Sequence, residues 1–309
     1  MSKITVVGAG NVGAQCVYRL AQKGLPELVL IDIVDGLPQG KALDMMQSGA
    51  VEGFNAKIKG TNDYKDTKDS DVVVITAGLA RKPGMSRDDL IAKNAGILSS
   101  IVHPIIENSP NAVLLIVTNP LDAMTYYAYK MSNFPSNRVF GMAPILDSAR
   151  MQYFISEMLN VPTSEVYAEV LGSHGDLMVP IPSRSIVKGR PITDVMTKEQ
   201  VQQIIQRTKD GGAEIVKYLK TGSAYYAPGS SAAEMAEAVA RDTKKVFGTC
   251  AWLTGQYGVN DVYVGVPAKL GKNGIEEIVE LMINKDELDE LQKSAKAVKE
   301  LCEKLPQQK

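Results

Sequence analysis

Along the first half of the chain, short runs of consecutive apolar residues alternate with longer segments whose apolar residues recur every three or four positions. The runs at residues 3–8, 28–32, 72–77, 112–118 and 138–142 predict strands. Runs without polar alternation belong to strands covered on both faces. That is the pattern of a parallel sheet with helices on each side, joined by right-handed crossovers. A more polar run, Ala56-Lys57-Ile58-Lys59-Gly60, predicts one further strand. Beyond about residue 144 the pattern changes. Helical stretches at 197–220 and 229–246 are interleaved with the strand-like pieces Val166–Leu171 and Asp261–Pro267, which predicts a mixed α+β unit. In the tail, Leu288, Leu291, Ala295, Val298, Cys302 and Leu305 follow steps of three and four. They form one amphipathic helical face. The repeat is too short for a coiled coil, so this face is expected to pack onto its own domain. The predicted organisation is a doubly wound α/β domain over residues 1–143 and an α+β domain over residues 144–309.

Composition refines this picture by exclusion. The 309 residues include 34 basic and 35 acidic side chains scattered along the chain, for a net charge of −1. Nothing in that balance favours nucleic acid or an anionic membrane as a partner. No run reaches the ~18 apolar residues of a membrane helix. Met1-Ser2-Lys3 leads directly into the first strand, with no space for a secretory signal, and a cytoplasmic protein is expected. Cys16, Cys250 and Cys302 are too few and too dispersed for a disulfide framework or a metal site. They are expected to be reduced and mostly buried.

The strongest chemical signal is Gly8-Ala9-Gly10-Asn11-Val12-Gly13, between the first strand and the helical segment Ala14–Ala21. Gly8 permits a tight turn, Gly10 lets backbone approach a pyrophosphate, and Gly13 allows close helix packing. The helix N-terminus offers free N–H donors to phosphate. The second strand ends in Asp32, nineteen residues after Gly13. A carboxylate there accepts hydrogen bonds from adenosine ribose hydroxyls and repels a 2′-phosphate. Together these features predict a Rossmann domain that binds NAD in preference to NADP.

Other residues fit a dehydrogenase, although each also has a structural reading. His174, in Gly172-Ser173-His174-Gly175-Asp176, is flanked by glycines that let another molecule approach, and an imidazole can take a hydroxyl proton near neutral pH. Isolated histidines are also often structural, and His103 has no comparable setting. Asp147 and Arg150 are three residues apart, a spacing that on a helix serves either to orient a base or to form a simple ion pair. Asn119, in Val117-Thr118-Asn119-Pro120, ends a buried strand where the sheet should face its ligand, and is equally a turn former. Arg81 and Arg87 bracket a loop after the strand at 72–77. Paired guanidiniums suit capture of a small carboxylate, and a solvated loop is the alternative. Two further patterns are rejected. Tyr126 and Lys130 have the Tyr-x-x-x-Lys spacing without the matching glycine pattern, and Gly36–Ala42 has the wrong spacing for a phosphate loop and reads as a turn into a helix.

In order and spacing, these motifs together resemble the lactate/malate dehydrogenase family over nearly the whole chain. The resemblance implies that His174 is the proton acceptor and Asp147 its partner, that Arg150 clamps the C1 carboxylate, and that Arg87 polarises the carbonyl. It implies that Asn119 holds the substrate oxygen and nicotinamide ribose, with Asn94, Val117 and Thr118 joining the cofactor site. An arginine at position 81 resembles the malate-using members, bacterial enzymes built on the lactate dehydrogenase plan. The implied reaction is reversible hydride transfer between (S)-malate and NAD, giving oxaloacetate and NADH. The implied partner is a small dicarboxylate, and the implied assembly a homodimer or homotetramer. Ala224 is small, which by the same resemblance leaves room for the larger acid. Ala143-Pro144 departs from the glycine of many relatives and points to a different local loop shape. The alternatives are a lactate or other 2-hydroxyacid dehydrogenase, and a non-catalytic NAD-binding sensor or scaffold.

Overall fold

The computed structural model describes residues 2–79 and 87–306. The first part of the chain contains β1 (Lys3–Val7), α1 (Asn11–Gln22), β2 (Glu27–Ile31), α2 (Leu37–Glu52), β3 (Lys57–Thr61), β4 (Val72–Ile75), α3 (Arg87–Asn108), β5 (Val113–Ile116), α4 (Leu121–Ser132) and β6 (Val139–Gly141). These six strands are parallel and lie in the order β3-β2-β1-β4-β5-β6. Every residue of β4, β5 and β6 is buried, which is why the sequence there shows unbroken apolar runs. Alternate side chains enter two separate cores. Ile4, Val6, Leu28, Leu30, Val72 and Val74 pack under α1, whereas Val7, Ile31, Val73 and Ile75 pack under α3 and α4.

The remainder contains α5 (Ile145–Leu159), β7 (Val166–Tyr167), β8 (Val170–Gly172), β9 (Met178–Pro180), β10 (Ile186–Val187), β11 (Arg190–Pro191), α6 (Ile192–Val195), α7 (Lys198–Leu219), α8 (Tyr226–Ala240), β12 (Val246–Thr254), β13 (Asn260–Gly271), β14 (Gly274–Ile278) and α9 (Lys285–Cys302). The parallel sheet continues into this part. β12 runs antiparallel beside β6, followed by β13, β8 and β9, with β14 on β13, to make eleven strands in all. β11, β10 and β7 form a separate small sheet.

Three expectations change here. The helix expected to reach residue 246 ends at Ala240, because Asp242 and Lys244 adopt left-handed backbone (φ 53° and 58°) and turn the chain into β12. The single piece expected at 166–171 is two strands in different sheets. The tail helix packs Leu291, Ala295 and Val298 against its own half, but Leu301, Cys302 and Leu305 press on the core under α3 and α4. It therefore bridges the two halves. α8 does the same: Ala232, Ala233, Met235 and Ala236 complete the core over α1, and a Cβ on Gly229 would lie 2.7 Å from Gln15. Among the described residues, no helix is long and apolar enough to cross a membrane. Cys16 and Cys250 are buried and Cys302 is half-buried, all three as free thiols.

Candidate active site

The carboxyl ends of β1, β2, β4 and β5 place the predicted cofactor residues along one edge of the sheet. Gly8 has φ +105°, and a Cβ there would meet Thr76 Oγ1 at 2.7 Å. A Cβ on Gly13 would lie 1.9 Å from the Gly8 carbonyl oxygen, so α1 can start only where position 13 lacks a side chain. Gly10 differs: a Cβ there meets nothing within 4 Å, and no side chain caps α1. An open surface at Gly10, beside uncapped N–H groups, fits the pyrophosphate of a dinucleotide. Ala9 is buried beneath it, and Asn11 and Val12 begin the helix. The Ala9 N–H donates to Asp32 Oδ2 at 2.6 Å, and the Ala9 carbonyl accepts from Lys41 Nζ at 2.7 Å. The fingerprint peptide is thus held between two opposite charges. Lys41 belongs to the segment that the sequence identifies only as a turn leading into a helix.

Past β5, Val117 N–H donates to the Ile75 carbonyl at 2.9 Å, and Thr118 Oγ1 donates to the Ala77 carbonyl at 2.7 Å. Asn94 is fully buried. Its Oδ1 accepts from Leu79 N–H at 2.8 Å, and its Nδ2 donates to the carbonyls of Leu79 (3.1 Å) and Asn119 (2.7 Å). The Asn94 amide thus braces the loops after β4 and β5 from below, leaving Asn119 exposed at the edge.

The second group forms where α5 meets the loop after β8. Asp147 stands in the first turn of α5, a favourable position for a carboxylate, and only 1 % of its side chain is exposed. His174 Nδ1 lies 2.9 Å from its Oδ2, and Arg150 Nη1 donates to its Oδ1 at 3.3 Å. Ser148 Oγ accepts the Val170 N–H at 3.0 Å and ties α5 to β8, while Ser294 Oγ on α9 accepts the Ser173 N–H at 2.9 Å. Burial works against the imidazolium of His174, but the charge and hydrogen bond of Asp147 outweigh it. The imidazole is held above its ordinary value, with Arg150 opposing and Asp122 assisting. Arg150 lies against Gly211 and Gly212 of α7, where a Cβ on Gly211 would be 3.1 Å from its Cδ. Its Nε is buried without a hydrogen-bond partner among the described residues. A donor left in that state suits an incoming carboxylate.

Asp122, on the first turn of α4, escaped the sequence reading. Its Oδ2 accepts the backbone N–H of His174 at 3.0 Å, and its Oδ1 accepts the Cys250 thiol at 3.3 Å. In sequence it is an ordinary helix-start aspartate, and nothing local reveals its distant partners. Through it, the segment carrying Asn119 is joined to the loop carrying His174. Arg81 lies outside the described residues. Arg87 opens α3, but its side chain is likewise outside the description. Of the rejected patterns, Tyr126 stacks on Trp252, and Gly36 turns into α2 with φ +76°. His103 is exposed on α3, with Nδ1 2.8 Å from the Ser99 carbonyl. The Ala143-Pro144 peptide is cis, and Ala224 is half-buried just before α8. Among the described residues, no group of His, Cys, Asp or Glu is arranged to hold a metal ion.

Comparison with known proteins bears on the whole of this arrangement. Residues 2–141 match the profile described as lactate/malate dehydrogenase, NAD binding domain, and residues 145–308 the one described as lactate/malate dehydrogenase, alpha/beta C-terminal domain. The chain is 53 % identical over 304 residues to the malate dehydrogenase of Chlorobium phaeobacteroides (strain BS1), covering 98 % of each. The structure of malate dehydrogenase from Salinibacter ruber superposes with a TM-score of 0.93 at 46 % identity, covering 98 % of this chain and 97 % of that one. The lactate dehydrogenase of Cryptosporidium parvum, solved with lactic acid and nicotinamide adenine dinucleotide, superposes with a TM-score of 0.94 at 41 % identity, with coverage of 98 % and 97 %.

Proposed function

The chain belongs to the lactate/malate dehydrogenase family, and we propose that it interconverts (S)-malate and oxaloacetate with NAD as the hydride partner. The observation that carries this reading is the buried Asp147 carboxylate shared by His174 and Arg150. It sets a base beside a carboxylate-binding cation, the pair that oxidation of a 2-hydroxy acid requires. NAD, when bound, supplies the hydride acceptor. Gly8 to Gly13 and Asp32 would hold its pyrophosphate and adenosine ribose, with Val117, Thr118, Asn119 and Asn94 lining or bracing the nicotinamide side.

Arg150 orients the substrate through its C1 carboxylate, and His174 Nε2 takes the hydroxyl proton as hydride leaves C2. Asp147 stabilises the imidazolium and fixes the ring tautomer by accepting from Nδ1. In the reverse direction, protonated His174 returns the proton while Arg87 polarises the carbonyl of oxaloacetate. A preorganised charge of that kind contributes ~100- to 1,000-fold in rate.

Malate carries a second carboxylate, which we assign to Arg81. A site built around that arginine pays for a methyl group in its place with an unpaired buried charge, at a cost of ~3–5 kcal/mol. This amounts to roughly a hundred- to a few thousand-fold in specificity. A nucleotide unit at 1–143, a substrate unit at 144–309, a cytoplasmic location and a homodimeric or homotetrameric state complete the proposal.

The test is NADH oxidation with oxaloacetate and with pyruvate, for the parent and for Arg81→Gln. Oxaloacetate should be strongly preferred by the parent, and the preference should collapse in the variant. Faster turnover of pyruvate by the parent would identify a lactate-type enzyme, and tight NADH binding without turnover a sensor.

A further inference from the structure

Asp122 is a buried carboxylate that the steps above leave unused. It is 5 % exposed, three residues beyond Asn119, and it joins three elements: its own α4, the catalytic loop through His174 N–H, and β12 through the Cys250 thiol. A buried carboxylate needs compensation, and the backbone N–H groups of His174 and of Asp122 itself, with one thiol, offset only part of the loss of water. Burial raises the Cys250 thiol well above its ordinary value, with the charge of Asp122 adding to the effect, so the thiol stays protonated and acts as donor. Cys302 on α9, which also senses the charge of Asp122, is pushed by burial up to about 12 and is neutral as well. Among the described residues, the charged group that faces Asp122 is therefore His174 in its imidazolium form.

We propose that Asp122 is a second positioning carboxylate for the catalytic base. It holds the His174 backbone in place, and its negative charge favours the imidazolium formed when the substrate proton arrives. The proposal rests on the reading of His174 as the base. Asp147 contacts the imidazole and Arg150 from α5, while Asp122 reaches the His174 backbone N–H from α4 and adds a second negative charge that favours the imidazolium. Burial pushes the Asp122 carboxyl up to about 6, against the pull of His174, the Cys250 thiol and backbone N–H groups. The contacts with His174 N–H and the Cys250 thiol both favour its ionised form.

The chain has two histidines, which makes a direct test practicable. Nuclear magnetic resonance titration of both imidazoles would be compared between the parent, Asp122→Asn and Asp122→Ser, each checked for fold by circular dichroism. Asn keeps an oxygen acceptor for His174 N–H and removes the charge, with its amide NH2 in place of the oxygen that accepts the Cys250 thiol. The His174 titration should move to lower pH in both variants while exposed His103 on α3 stays in place. The falling limb of oxaloacetate reduction should move with it. Asp122→Ala, which also removes the acceptor, should lower kcat by ~10- to 100-fold through loss of alignment. An unmoved His174 titration in either folded variant overturns the proposal. If the parent fails to oxidise NADH with oxaloacetate, the malate assignment falls, while the imidazole titration still decides the role of Asp122.

Discussion

Asp147→Asn tests the centre of the proposed chemistry. The wild-type carboxylate is nearly fully buried, with Oδ2 at 2.9 Å from His174 Nδ1 and Oδ1 at 3.3 Å from Arg150 Nη1. A hydrogen bond to a charged group contributes ~1.5–3 kcal/mol, so its loss weakens the imidazolium by about 10- to 150-fold. Asparagine adds a second penalty. If its amide N–H faces Nδ1, the ring proton moves to Nε2, the nitrogen that must be free to accept from malate. Together the two effects should lower kcat/KM on the order of 10²- to 10⁴-fold. Arg150 also loses a partner, so the KM for oxaloacetate should rise, and kcat at saturating substrate isolates the effect on the base.

The sign of the pH effect follows from the same contact. Reduction of oxaloacetate needs imidazolium, and activity falls as pH rises through the value at which His174 deprotonates. Asp147 is the main group holding that value above the ordinary one, against burial, so removing its charge moves the falling limb to lower pH. The assay is NADH absorbance across a pH series at saturating and at low oxaloacetate. A kcat/KM within threefold of the parent, or a limb displaced to higher pH, would refute the assignment of Asp147 as the partner of His174.

Other outcomes follow from particular positions. Gly10→Val should leave the melting temperature nearly unchanged, because its side chain enters open space, yet weaken NADH binding in a fluorescence titration by filling the surface proposed for pyrophosphate. Gly13→Ala should lose both, since its Cβ would lie 1.9 Å from the Gly8 carbonyl; a cost at the upper end of ~1–3 kcal/mol should appear in thermal melts. Gly211→Val should press on the Arg150 side chain and raise the KM for oxaloacetate while NADH affinity is retained. Asp122 also has a stability signature. Its carboxyl is raised to about 6 in the folded protein, so between the ordinary aspartate value and about 6 the folded state holds the proton more tightly than the unfolded chain. Its contribution therefore declines as pH rises through that window, and denaturant titrations of Asp122→Asn should lack that decline.

Much of this molecule is legible without a structure. β4, β5 and β6 are buried on both faces, so unbroken apolar runs mark them directly. The glycine fingerprint is legible because each glycine answers a local demand: a left-handed turn at Gly8, open space at Gly10 and a backbone contact at Gly13. β12 is less so, since its start runs on from the α8 pattern and only the left-handed residues Asp242 and Lys244 separate them. The interlocking of the halves is not legible at all. α8 and the end of α9 pack on the first half through small or ordinary apolar residues whose pattern names no partner.

By itself, the sequence determined which runs are buried and which residues are candidates for chemistry: the parallel sheet, the fingerprint with Asp32, and the candidates His174, Asp147, Arg150, Arg81 and Arg87. These are local properties, written in periodicity and residue type. Tertiary structure alone decided which of those candidates share a charge. Asp147 meets a histidine 27 residues away and Asp122 meets its backbone across 52. Both are aspartates in the first turn of a helix, alike in sequence. Their difference lies in what surrounds them after folding, because removal from water and nearness of an opposite charge are properties of a place and not of a residue type.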